Sequence, residues 1–126
     1  MVCICLISSC TDEAESYEDP LTDSGILGSW LLEARIENGF THLANRCCEV
    51  IAFELDEDRS DFKGKFKAIV GTDRTDGVFT LVNGEMILFE FGDDFRLVDY
   101  TVNRNRLQLI DHKNLILVEE IYTKNP

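Results

Sequence analysis

Apolar and polar positions alternate with a period of two along most of the chain, and no stretch sustains the three-to-four spacing of a long helix. Ile26–Ile36 places Ile26, Gly28, Trp30, Leu32, Ala34 and Ile36 on one parity and predicts a first strand, ended by the turn pair Asn38-Gly39. Phe40–Arg46 reads as a loop or a short helical turn. Glu49–Leu55 predicts a second strand on Ile51, Phe53 and Leu55. The alternation is cleanest over Asp61–Val70, where Lys63, Lys65 and Lys67 take one face and Phe62, Gly64, Phe66, Ala68 and Val70 the other. A polar loop over Gly71–Gly77 leads to a short strand, Val78–Val82, and Asn83-Gly84 is a strong hairpin signal because both residues tolerate positive φ. Strands follow over Glu85–Phe91, Phe95–Val102, Arg106–Asp111 and Leu115–Thr123, parted by Gly92-Asp93-Asp94, Asn103-Arg104-Asn105 and His112-Lys113-Asn114. Eight strands joined by tight turns predict an all-β, up-and-down antiparallel meander. Closure into a barrel would remove both open edges; an open sandwich is the alternative.

The residues before Gly25 differ in kind. Met1–Cys10 is apolar and uncharged, too short for the ~20 residues of a membrane-spanning helix. It reads as the remnant of a secretory signal over residues 1–9. Ile7-Ser8-Ser9-Cys10 resembles a bacterial lipobox, and that resemblance implies cleavage before Cys10 and a lipid anchor on its thiol; several acyl chains give stable anchoring where one does not. Residues 10–25 then form an acidic tether, leaving 26–124 as the barrel. Thr11-Asp12-Glu13-Ala14-Glu15 resembles the acidic export signals of surface lipoproteins in Bacteroidetes, and a solvated spacer is the alternative reading.

Charge sharpens this division. The chain carries a formal net charge of -12, which removes nucleic acid and electrostatic docking on an anionic membrane from consideration. Six acids and no base precede Gly25 (Asp12, Glu13, Glu15, Glu18, Asp19, Asp23), so half of the net charge lies outside the strands.

Within the strands, Gly28-Ser29-Trp30 resembles the Gly-x-Trp signature of lipocalins. The layout over Ile26–Lys124, with Leu27, Gly28 and Trp30 first, Cys47-Cys48-Glu49-Val50-Ile51-Ala52-Phe53 next and Val118-Glu119-Glu120-Ile121-Tyr122-Thr123-Lys124 last, is similar to small lipocalin-like domains of Bacteroidetes lipoproteins. The resemblance implies a small lipocalin-like barrel on an outer-membrane lipoprotein, periplasmic or surface-exposed, and a small hydrophobic ligand. An inward set of Trp30, Phe53, Phe62, Phe66, Leu88, Leu97, Asp99 and Leu109 would line its pocket. The alternative is a solid-core structural or interaction module working through its loops. Lipocalins set an Arg against this Trp; the last strand here has none, which leaves Arg104 or Arg106 from the preceding turn.

The remaining chemistry is sparse. No nucleophile–base–acid arrangement is recognisable around His42 or His112, which read as surface histidines, and no enzymatic activity or cofactor is expected. Cys47 and Cys48 are adjacent and too strained a pair to bridge each other; one reads as an apolar filler, and no metal site is expected. Asp93, Asp94, Glu119 and Glu120 lie in a turn or on opposite faces of one strand, and Asp99 is an inward candidate or a residue of the barrel mouth. Asp56-Glu57-Asp58 with Asp61 lacks the Gly and the spaced Glu of a calcium loop. Lys63, Lys65 and Lys67 read as a solvated outer face, or as a docking face for an acidic glycan or for the tether's own acids.

Overall fold

The structure, a computed structural model, describes residues 20–44, 49–58, 60–113 and 116–125. Cys10, expected to carry a lipid, the expected signal remnant over residues 1–9, residues 10–19 of the expected tether and the Cys47-Cys48 pair lie outside them. A five-residue helix, α1 (Pro20–Ser24), precedes nine strands: β1 Gly28–Glu37, β2 Phe40–Leu43, β3 Glu49–Leu55, β4 Lys63–Val70, β5 Asp73–Val82, β6 Met86–Phe91, β7 Asp94–Asn103, β8 Arg106–Lys113 and β9 Ile116–Lys124. Every pairing is antiparallel. The meander β3 to β9 closes when β9 pairs with β1 from Val118↔Glu37 to Lys124↔Trp30, and β1 pairs with β3 from Gly28↔Phe53 to Leu31↔Val50. The fold is therefore an eight-stranded barrel with β2 as a ninth strand. β2 hangs on the outer half of β1 through Ala34↔Leu43 to Glu37↔Phe40.

Three segments depart from the pattern read along the chain. Phe40–Leu43 is a strand, with the Asn38-Gly39 pair (φ 53° and 89°) as its hairpin turn; all four of its residues are exposed, so burial leaves no alternation to read. Asp73–Asp76, expected as loop, extends β5 beyond the core, where both faces are wet and polar residues suffice. Pro20–Ser24, expected as tether, is a helical turn that lays Leu21 over one end of the barrel at 1% exposure.

An eight-stranded barrel is narrow enough to be filled by its own side chains. Here phenylalanine rings run along its axis. Phe79 meets Phe53 edge-on at 4.9 Å, Phe53 lies 6.0 Å from Phe89, Phe89 meets Phe66 edge-on at 4.9 Å, and Phe66 lies 6.3 Å from Phe91. Trp30, Leu32, Ile87, Val98, Leu107 and Leu109 complete the buried layer around them. One end is shut by Leu21, Ile26 and Trp30, whose indole Nε1 donates to the Ile26 carbonyl at 2.8 Å. The opposite end, the mouth, is formed by the far ends of β1, β4, β6 and β8 and the starts of β3, β5, β7 and β9.

Gly77 makes room for this filling. It pairs with Phe66, whose Cε1 lies 2.8 Å from where a Cβ on Gly77 would be, and the Glu90 carbonyl is closer still. The ring is pinned by its neighbours and the carbonyl by the β5–β6 ladder, so neither can yield. Gly77→Ala should lower stability by about 3 kcal/mol, the upper part of the usual range for overpacking. Urea unfolding followed by Trp30 fluorescence checks this.

Candidate functional site

Alternation along β7, β8 and β9 carries polar side chains into the mouth. On β7 the inward series is Val98 then Arg96; on β8, Leu107, Leu109 then Asp111; on β9, Tyr122 then Glu120. β3 adds Glu49, on the parity of Ile51 and Phe53. β1 adds Arg35 through an irregularity. The register steps from Tyr122↔Leu32 to Ile121↔Ala34, so β1 carries one residue more than β9 there. Such a bulge reverses facing: Trp30 and Leu32 point inward before it, and Arg35 does so after it.

The result is a network centred on Glu120, a carboxylate 6% exposed. Arg35 Nε and Nη2 donate to Glu120 Oε2 at 3.1 and 2.9 Å, and Arg35 Nη2 also reaches Glu49 Oε2 at 3.2 Å. Arg96 Nη2 donates to Glu120 Oε1 at 3.3 Å while its Nε donates to Asp111 Oδ2 at 2.9 Å. The Tyr122 hydroxyl donates to Glu120 Oε1 at 3.3 Å. Burial by itself lowers the pKa of both guanidinium groups, but their carboxylate partners outweigh it and raise Arg35 and Arg96 above the ordinary value. Burial first, then the Glu120 charge, holds the Tyr122 hydroxyl well above its ordinary pKa, so it stays a donor.

This arrangement has a definite chemical consequence. A carboxylate offers about four lone-pair directions, and Glu120 accepts four hydrogen bonds. It has none left to serve as a general base or to ligate an incoming group. The network instead ties β1, β3, β7, β8 and β9 together across the mouth. A cavity of about 220 Å³ lies over it, lined by Arg35, Glu49, Arg96, Glu120 and Tyr122 on one side and by Val50, Ile51, Ala68, Ile69 and Val70 on the other. Among the described residues, no three His, Cys, Asp or Glu side chains converge as metal ligands.

The eight residues expected to line an inner pocket fall into two groups. Trp30, Phe53, Phe66 and Leu109 face inward and are buried, packed against one another or the rings between them. The other four are corrected. Phe62 has the inward parity but precedes β4 at the rim and is 53% exposed. Leu88 lies between the buried Ile87 and Phe89 and so faces out, in register with Leu97. Leu97 and Asp99 flank the buried Val98 and likewise face out; Leu97 is exposed, and Asp99 Oδ2 lies 3.4 Å from His112 Nε2 on the outer surface. In both strands neighbouring apolar residues could each have been the inward one; on β7 the larger, Leu97, was not.

At the shut end the cation against Trp30 is a lysine from the last strand, not Arg104 or Arg106. Lys124 Nζ lies 4.6 Å from the ring centroid and donates to the Leu27 carbonyl, in a geometry that supports a cation–π contact. Its stem crosses Gly28, which has φ 117°, where a Cβ would collide with Nζ. Burial lowers the Lys124 pKa.

No family model, no curated protein and no solved structure matches the chain.

The clamp makes a measurable prediction. Glu120→Gln should cost about 2 kcal/mol, less than the roughly 3–5 of a fully buried pair because both arginine side chains are about one-third exposed. Glu119→Gln, on the outward face of the same strand, should stay within about 0.5 kcal/mol. Denaturant midpoints of the two variants check the contrast.

Proposed function

We propose that this chain is a lipid-anchored module of the bacterial envelope whose barrel is a solid scaffold acting through its surface, not through an enclosed ligand. The observation that carries the reading is the run of phenylalanine rings from Phe79 to Phe91, which occupies the axis where a lipocalin ligand would sit. The cavity over the Glu120 network is about 220 Å³ with an ionic floor, and the larger recess beside it, about 440 Å³ over Phe91, Arg96 and Asp111, is lined in part by the exposed Phe95 and Leu97. Anchoring rests on the Ile7-Ser8-Ser9-Cys10 pattern, and the envelope location rests on the same four residues. The closed, eight-stranded meander with its Gly-x-Trp start fits a lipocalin-like domain of the kind borne by Bacteroidetes lipoproteins. No enzymatic step is assigned, since the buried carboxylate is saturated by its partners.

The test has two arms. The full-length chain, expressed in a bacterium that processes lipoproteins, should fractionate with membranes, and Cys10→Ser should move it to the soluble envelope fraction. Organic extracts of the purified chain should contain no bound lipid, and fatty acid should leave Trp30 emission unchanged. Membrane release independent of Cys10 would overturn the anchor. A ligand recovered at one per chain, with saturable quenching of Trp30, would overturn the solid scaffold.

A further inference from the structure

The structure assigns a docking face for the chain's own acidic leader: we propose that residues 12–19 lie along the outer face of β4, over Lys63, Lys65 and Lys67. Three of the chain's five lysines stand in this row. They project outward because Gly64 and Phe66 between them face the core. Lys67 pairs with Glu54 at 3.3 Å, but Lys63 and Lys65 make no ion pair with a described residue. Asp76, beside Lys67 in register, is already held by Arg74 at 2.9 Å. Glu54 also stands opposite Lys65 in register, so two carboxylates, one of them held by Arg74, face three lysines, and Lys63 stands opposite Thr80.

Two further observations name the occupant. The first is where the leader joins the barrel. Pro20 shares a surface recess with Phe62 and Leu81, and Leu21 Cδ1 comes within 3.0 Å of the position a Cβ on Gly64 would take. The described chain therefore begins at the shut end of the barrel, the end at which the lysine row starts. The second is charge and reach. Asp12, Glu13, Glu15, Glu18 and Asp19 give five acids and no base in eight residues. Extended, those residues span up to ~28 Å, whereas Lys63 to Lys67 covers about 13 Å of strand. Each exposed pair contributes little, of the order of a fraction of a kcal/mol to one. Such an attachment is reversible and salt-sensitive. The proposal holds whether or not Cys10 carries lipid.

Carbodiimide crosslinking of the full chain tests it, because the reagent joins a carboxylate to an amine only when the two touch. A mixture of ¹⁴N- and ¹⁵N-labelled chains separates links within a chain from links between chains. At about 0.01 M salt, links from residues 12–19 should fall on Lys63, Lys65 and Lys67 within one chain. They should drop at least five-fold at about 1 M, where screening shortens from roughly 30 to 3 Å. Glu13→Gln combined with Glu15→Gln and Glu18→Gln should lower them similarly without moving the urea midpoint. Three outcomes would overturn the proposal: leader acids linked equally to Lys113, links chiefly between labelled and unlabelled chains, or yields indifferent to salt.

Discussion

The interior of an eight-stranded barrel is either filled by its own side chains or occupied by one small ligand. Here aromatic edges fill it. Each ring in the run from Phe79 to Phe91 sits against the next, and the strands have accommodated them: Gly77 under Phe66 has no side chain at all. The filling explains why both ends differ in character. At the shut end the column terminates in Leu21, Ile26 and Trp30, all apolar, with the indole N–H satisfied by backbone. At the mouth it ends on Phe91, and the next inward positions must meet water. They are charged, and they are paired.

The paired mouth follows from the cost of burying charge. A carboxylate as enclosed as Glu120 persists only with partners that replace its hydration. Two arginines and a tyrosine do so, from three different strands. Closure of the barrel is thereby secured twice over: by the β1–β9 ladder, and by side chains that span it. The bulge in β1 is the device that makes the second possible, because without the extra residue Arg35 would face solvent.

Much of the architecture was legible along the chain. Turn chemistry at Asn38-Gly39, Asn83-Gly84 and Gly92 located the hairpins, and β3 falls on the expected residues 49–55. Two of the hidden parts share a cause: burial is what writes a pattern, and they lack it. Strand β2 and the first half of β5 are wet on both faces, so nothing enforces alternation. The candidate site was hidden differently. Arg96, Asp111 and Glu120 each continue an inward apolar series by two residues, a signal readable once parity is known. On β7 the parity was ambiguous between Leu97 and Val98. On β1 no parity argument reaches Arg35, since a bulge leaves no mark that alternation can detect.

Closure around a filled axis is the claim on which the rest stands, and amide hydrogen exchange at the β1–β9 seam tests it most directly. If the barrel is closed and solid, the paired amides of Trp30–Ile36 and Glu119–Lys124 will exchange only through global unfolding. Their rates will then match those of the central β5–β6 ladder and fall with the same denaturant dependence. Seam amides that exchange orders of magnitude faster than β5–β6, with little sensitivity to denaturant, would mean a barrel that opens along β1 and β9, and would contradict the account.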